Sequence, residues 1–209
     1  MKSNNSGNED NRAKADKYSI IPVDRFNSPE KLGLFSCVPD DFCEGRYKCD
    51  LSQYEAIDNF LIKQSVNYSD KNLLRTFLLR DNYDNVISFV SFSASNQILY
   101  KSFKKAKPEI PTIGRNLPLP SIDIVYFAVD HSYQNQGIGS LWLGKTYTFI
   151  SAISQLLGAC VASVNSLYDA VDFYTKRGFI SVGGGQSKKF GNEWLAIPIN
   201  DVSKLKSDL

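Results

Sequence analysis

The chain has 209 residues, 43% of them apolar and 12% aromatic, which is enough side chain for one substantial core and too little length for several. Lysine and arginine exceed aspartate and glutamate by only 24 − 22 = 2. No overall charge therefore marks a nucleic-acid or membrane-surface protein, and any basic patch must be local. No apolar run of roughly 18 residues occurs, and the polar opening "MKSNNSGNEDNRAKADK" lacks a signal-peptide core, so the expectation is a cytoplasmic protein with no membrane partner.

Residues 1–17 carry too little apolar surface to offset the entropy of ordering them, and a disordered tail is expected ahead of one domain spanning 18–209. Structure is expected to begin at "YSIIPVDRF". In "CDLSQYEAIDNFLIKQS", Ser52 and Glu55 read as a capping box and Tyr54, Ile57, Phe60 and Leu61 recur at helical spacing. Cys37, Cys43 and Cys49 lie before or at its start and Cys160 lies far away. Without a C-x-x-C or H-x-x-x-H pair, and with His131 as the sole histidine, the cysteines read as free thiols and no metal is expected.

"LLRTFLLRD" and "VISFVSFSA", joined by Asn82 to Asn85, read as a hairpin. The proline-containing stretch 95–120 reads as a long loop carrying Lys101, Lys104, Lys105, Lys107 and Arg115, either a solvated excursion or a basic surface. The strand "SIDIVYFAVD" follows. Beyond the next glycines a long helix places Leu141, Trp142, Phe149, Ile153, Leu156 and Leu157 on one arc and ends at Gly158. "ACVASVN" reads as a buried strand, and Ser166 with Asp169 as the cap of a second helix, "SLYDAVDFYTKR", that stops at Gly178. "FISVG" and "EWLAIPI" read as two closing strands. This order of elements is α/β with a mixed sheet.

The stretch "HSYQNQGIGSLWLGKTYT" fits two phosphate-binding patterns. GSLWLGKT, Gly139 to Thr146, matches the written form of a nucleotide-triphosphate loop. That loop needs a strand running straight into its first glycine, whereas the nearest strand ends near Asp130, and Leu141, Trp142 and Leu143 suit a packed helix better than a phosphate wrap. Gln134, Gly137 and Gly139 spell Q-x-x-G-x-G between a strand and a helix. There, glycines without side chains let successive amides face a pyrophosphate at the positive helix end.

"DIVYFAVDHSYQNQGIGSLWL" and "VNSLYDAVDFYTKRGF" together resemble the GCN5-related N-acetyltransferase superfamily, closely over residues 121–182 and loosely over the preceding hairpin. The resemblance implies a mixed, mostly antiparallel sheet flanked by helices, with acetyl-CoA as co-substrate. It implies that the backbone of Phe127, Ala128 and Val129 pairs with the pantetheine arm. Gln134, Asn135, Gln136, Gly137, Ile138, Gly139 and Ser140 would cradle the pyrophosphate. By the same resemblance Asn165 lies near the cofactor and Tyr174 protonates the departing thiolate.

"YKCDLSQYEAIDNFL", the long proline-containing loop and "AVDHSYQNQGIGS" are similar to the toxin-type branch, which acetylates the amino acid on a charged tRNA. The chain departs from that branch in its longer N-terminal extension, its weak net charge and Tyr126 at a usually basic position. The implied partners are an amine acceptor, a charged tRNA among the candidates, with a homodimer and an antitoxin as further expectations. A small-molecule or protein amine, and a non-catalytic acyl-CoA sensor, remain alternative readings.

Acetyl transfer needs a neutral nitrogen held against a thioester. Joint positioning contributes roughly 7–11 kcal/mol, and a placed acid or base about 10²–10⁴-fold in rate. An α-amino group with pKa near 7.7–8.0 is partly neutral at physiological pH, while a lysine side chain near 10.4 wants a base. Asp123 stands where the histone-acetylating branch carries its glutamate base, and is the second catalytic candidate.

Overall fold

The computed structural model describes residues 17–25, 30–110, 118–183 and 191–205. The expected tail and Arg115 lie outside the described residues, save Lys17 at the tail's end.

Among the described residues, seven strands form one sheet in the order β1-β2-β3-β4-β5-β7-β6. They are β1 (Ser19–Pro22), β2 (Arg75–Arg80), β3 (Val86–Gln97), β4 (Leu119–Val129), β5 (Val161–Leu167), β6 (Ile180–Ser181) and β7 (Asn192–Pro198). Only β4 and β5 pair in parallel; the other neighbours are antiparallel. The parallel pair follows from the long crossover between them, because a tight turn can join only antiparallel strands.

That crossover is dominated by a helix of 20 residues, Ile138–Leu157, which contains the whole of GSLWLGKT from its second residue onward. Trp142 and Leu143 are fully buried inside it, and Gly158 ends it in the left-handed conformation. The triphosphate-loop match is therefore ordinary helix. The buried face runs through Trp142, Leu143, Thr146, Tyr147, Ile150, Ser151 and Ser154. The expected arc was rotated: Trp142 is on it, but Leu156 and Leu157 project into solvent at 85% and 65% exposure. The stripe packs on Leu79, Ile87, Ile122, Ile124, Ala162 and Val164 of one sheet face.

The helices in chain order are α1 (Leu51–Asn59), α2 (Ser65–Asp70), α3 (Lys101–Ala106), α4 (Ile138–Leu157), α5 (Val171–Thr175) and α6 (Ile199–Leu205). A π turn, Phe60–Gln64, joins α1 to α2. The start of α1 corrects the expected capping box. Asp50 is the N-cap and its amide donates to Gln53 Oε1 at 3.0 Å, two residues ahead of the Ser52–Glu55 pair. On the face opposite α4, Phe60 and Leu61 pack with Leu78, Phe89 and Ala128. The Phe60 ring stacks on Tyr126 with centroids 3.7 Å apart.

Three further expectations are corrected. The stretch 95–120 is not all loop: β3 continues to Gln97 and α3 carries Lys101, Lys104 and Lys105, anchored by fully buried Phe103. Ser166 belongs to β5 and Asp169 lies in a 3₁₀ turn, Tyr168–Ala170, so neither caps the second helix at its N-terminus. The chain also closes on α6 after β7 rather than on a strand.

Candidate active site

The site begins with one extra residue in β4. Ser91 faces Tyr126 and Phe92 faces Ile124, leaving Val125 as a bulge. The parallel pairing with β5 also stops there, its last partners being Ile124 and Val164. A bulge bends and twists its strand. Beyond it, β4 and β5 diverge like the arms of a V.

The diverging edge of β4 offers backbone groups that pair with no strand, although the Val129 carbonyl accepts from Gln134 Nε2 at 3.1 Å. Ala128 turns its carbonyl toward β3, where it accepts from Ser88 Oγ at 2.6 Å, and the Asp130 amide donates to the Ile87 carbonyl at 3.0 Å. Alternation along a strand then points the amides and carbonyls of Phe127 and Val129 into the V. At its outer end, buried Asp130 accepts from the amides of Ser36 at 3.1 Å and Ser132 at 3.0 Å, fixing the turn that follows. Asn135 at φ 58° and Gly137 at φ 81° reverse the chain into α4. The amides of Ile138, Gly139 and Ser140, in the helix's first turn, have no intrahelical acceptor and carry the positive end of its dipole.

A cavity of about 370 Å³ runs along this edge, lined by Phe127, Ala128 and Val129, by Gln134, Asn135, Gly137, Gly139 and Ser140, and by Tyr174 and Arg177 across the V. A Cβ at Gly139 would lie 3.2 Å from Phe173 Cε2, so a side chain there would have to push that ring aside. Arg177 stacks 4.0 Å from the Phe173 ring centroid and its Nη2 donates to Ser140 Oγ at 2.5 Å. A guanidinium beside a helix N-terminus is electrostatically unfavourable unless an anion lies between them. No carboxylate pairs with Arg177 among the described residues.

A second cavity, of about 600 Å³, lies on the other side of Tyr174. Ile57, Phe127, Leu167, Ala170 and Tyr174 line both. Asp123, Ser93, Asn165, Asn192, Tyr126 and Trp194 line the second alone. The Tyr174 phenol is 3% exposed and burial pushes its pKa up, so it stays protonated through the neutral range. Asp123 is 8% exposed, and its Oδ1 accepts from Ser121 Oγ at 2.9 Å and from Ser163 Oγ.

The expected site residues thus separate into groups. Phe127, Ala128, Val129, Asn135, Gly137, Gly139 and Ser140 share the first cavity with Tyr174. Ile138 contributes only backbone, its side chain being buried in the core. Gln134 lines the cavity but directs its side-chain amide to the carbonyls of Cys37 and Val129 at 2.9 and 3.1 Å, while Gln136 turns to the Ser132 carbonyl. Asn165 and Asp123 line only the second cavity.

Other residues of the site have no motif. Asp169 accepts from the amides of Lys48 and Cys49 at 2.9 and 3.0 Å and from the Tyr54 hydroxyl at 2.8 Å, tying the segment before α1 to the exit of β5. Burial pushes its carboxyl up, but these hydrogen bonds outweigh burial and hold it below the usual carboxylate range. The one local signal for Arg177 is its place three residues after Tyr174 in "YTKRGF".

No family model matches the chain, and no curated protein matches it. Solved structures do. A bacterial toxin superposes with a TM-score of 0.72 at 15% identity, covering 92% of this chain and 96% of its own. AtaT complexed with acetyl-methionyl-tRNAfMet gives 0.68 at 21%, covering 90% and 98%. A tyrosine-to-phenylalanine mutant of the AtaT toxin, bound to the C-terminus of the antitoxin AtaR and acetyl-CoA, gives 0.65 at 20% with the same coverage. The diverging strands, glycine turn and seven-stranded sheet, with these superpositions, establish that the chain has the fold of the GCN5-related N-acetyltransferases in the form seen in such toxins.

Proposed function

We propose that the protein transfers an acetyl group from acetyl-CoA to a primary amine, and that the amine is the α-amino group of an aminoacyl-tRNA. The observation that carries the transferase reading is Tyr174 standing between two cavities that meet at the splay of β4 and β5. The aminoacyl-tRNA reading draws its support from the likeness to AtaT, whose complex holds acetyl-methionyl-tRNAfMet. An antitoxin partner is proposed on the same ground, from AtaR.

In this reading the pyrophosphate rests on the first-turn amides of α4 with Arg177 closing over it, and the pantetheine amides pair with Phe127 and Val129 as an added strand would. The thioester then points past Tyr174 into the second cavity. A neutral amine entering there attacks the carbonyl carbon, forming the C–N bond, and collapse of the tetrahedral intermediate breaks the C–S bond. The Tyr174 hydroxyl gives its proton to the sulfur, and the proton shed by the amine returns to the phenolate through solvent. A phenol near 10 donating to a thiolate near 8.5 is about 2 kcal/mol uphill in water. Burial raises the phenol further, but it raises the leaving thiol as well, since both ions lose solvation in the same cleft.

The test is release of free CoA thiol from acetyl-CoA with a panel of amines and charged tRNAs, with products identified by mass spectrometry. Amine-dependent thiol release is expected. Saturable acetyl-CoA binding with no turnover on any acceptor would leave a sensor in place of an enzyme.

A further inference from the structure

The second cavity has two unlike ends. Where it meets the first, its walls are Ile57, Phe127, Leu167, Ala170 and Tyr174, all apolar but for one hydroxyl. Away from that junction its floor carries Ser93 and Asp123, paired across β3 and β4, and its β5–β7 side carries Asn165, Asn192 and Trp194. Among the described residues lining it, Asp123 is the only charged one.

The floor arises where the sheet changes cover. α1 and its neighbours pack over Phe89 and Ala128, and α3 packs through Phe103 near Leu119 and Val161. Between these clusters the sheet presents Ser93, Ser121, Asp123 and Ser163, small polar residues that leave the gap open. Gln53 of α1 spans the gap, donating to Asn192 Oδ1 at 3.1 Å. Gly191 makes room for that amide, as a Cβ there would lie 3.1 Å from Gln53 Oε1.

Asp123 is held rigidly but incompletely satisfied. Both serine hydroxyls go to Oδ1, and Oδ2 has no hydrogen-bond partner among the described residues. Nor is Oδ2 among the sealed, partnerless polar atoms, so it faces the cavity. A carboxylate oxygen that opens onto a cavity and has no protein donor is free to accept a charge-assisted hydrogen bond from a cationic N–H group arriving there. Asp123 also lies in the part of β4 still paired with β5, opposite Ser163. Four positions separate it from Phe127, one of them the bulge, or roughly 10–13 Å at a strand's rise. An amine poised beside Phe127 and Tyr174 is therefore too far for direct proton transfer to Asp123.

We infer that the second cavity selects an amine whose carbon chain carries a second, positively charged nitrogen, held by Asp123 Oδ2 at the floor while the first nitrogen reacts beside Tyr174. The acceptor class is thus a diamine or the ester of a basic amino acid, the latter including a basic aminoacyl-tRNA. This rests on the transferase reading above and adds the chemistry of the acceptor. It assigns Asp123 to acceptor selection instead of proton abstraction.

The test compares acceptors matched in shape: 1,5-diaminopentane against n-pentylamine, and lysine methyl ester against norleucine methyl ester. With wild-type protein and acetyl-CoA the cationic member of each pair is expected to show at least a tenfold higher kcat/KM, chiefly through KM. Asp123→Asn keeps the shape, and is expected to bring each ratio close to one by raising KM for the cationic member. Equal rates for both members with wild-type protein overturn the inference, with no variant needed. A loss in kcat shared by both members also overturns it and makes Asp123 a base. Calorimetry with diaminopentane and pentylamine on CoA-loaded protein reads the same preference without turnover. A preference seen there in the absence of thiol release would fault the transferase reading alone, whereas equal affinities would fault the acceptor class.

Discussion

The side-chain amide of Gln134 donates to the carbonyl of Cys37, 97 positions away in sequence, and to the carbonyl of Val129 at the open end of β4. The first glutamine of the Q-x-x-G-x-G motif therefore ties the segment before α1 to the open edge of β4. Replacing it with leucine removes both donors from partly buried carbonyls. The expected cost is about 1–3 kcal/mol of stability, measured by urea denaturation, and Gln134→Glu is expected to cost at least as much, because an ionised carboxylate has no donor for either carbonyl.

Tyr174→Phe keeps the ring in its contacts with Phe127, Phe173 and Phe179 and removes only the hydroxyl. Turnover is expected to fall about 10²–10⁴-fold while acetyl-CoA affinity changes little. Because burial raises the phenol, ionisation of Tyr174 should not lower kcat as pH rises from 7 to roughly 10. A pH profile falling through neutrality, and absent from the phenylalanine variant, would assign the proton donor a different environment.

Asp169 anchors the segment before α1 to the exit of β5. Its folded-state pKa is depressed, so its stabilisation is present above the unfolded value of about 3.9 and is lost as pH falls through the folded value. Asp169→Asn is expected to destabilise by about 1–3 kcal/mol near pH 7. The gap between variant and wild type should narrow below about pH 4. Denaturation at pH 7 and pH 3 measures both; a gap that is constant across that range would show that the carboxylate charge contributes nothing.

Gly137 has open space around its missing side chain, and what it supplies is its φ of 81°. Gly137→Asn should cost less than Gly137→Val, since asparagine tolerates the left-handed region and a β-branched residue does not. Thermal denaturation and acetyl-CoA titration should rank the two variants alike if the turn's shape holds the ligand.

The parts of the site nearest in sequence were the most legible. "SIDIVYFAVD", the glycine turn and the long helix announced themselves by strand character, two glycines and helical spacing, and they form the first cavity. What escaped was set by pairs distant in the chain. Asp169 looked like a local cap because nothing near it in sequence reveals the Lys48 and Cys49 amides 121 and 120 positions away. Arg177 meets Ser140 across 37 positions. The bulge at Val125 is invisible without its β3 partners, and the polar floor of the second cavity exists only because α1 and α3 leave a gap. Even the cap of α1 was misplaced by two residues, since Ser52 and Asp50 are both good cap types and packing chose between them.

The proposed transferase function requires first of all that the turn before α4 and the open edge of β4 hold acetyl-CoA. Calorimetric titration of acetyl-CoA into the wild-type protein, Gly137→Val and Lys145→Ala tests it most directly. Saturable binding to the wild type, lost in Gly137→Val and retained in Lys145→Ala, is the predicted result. Absence of acetyl-CoA binding to the wild type, or ATP binding abolished by Lys145→Ala, would contradict it.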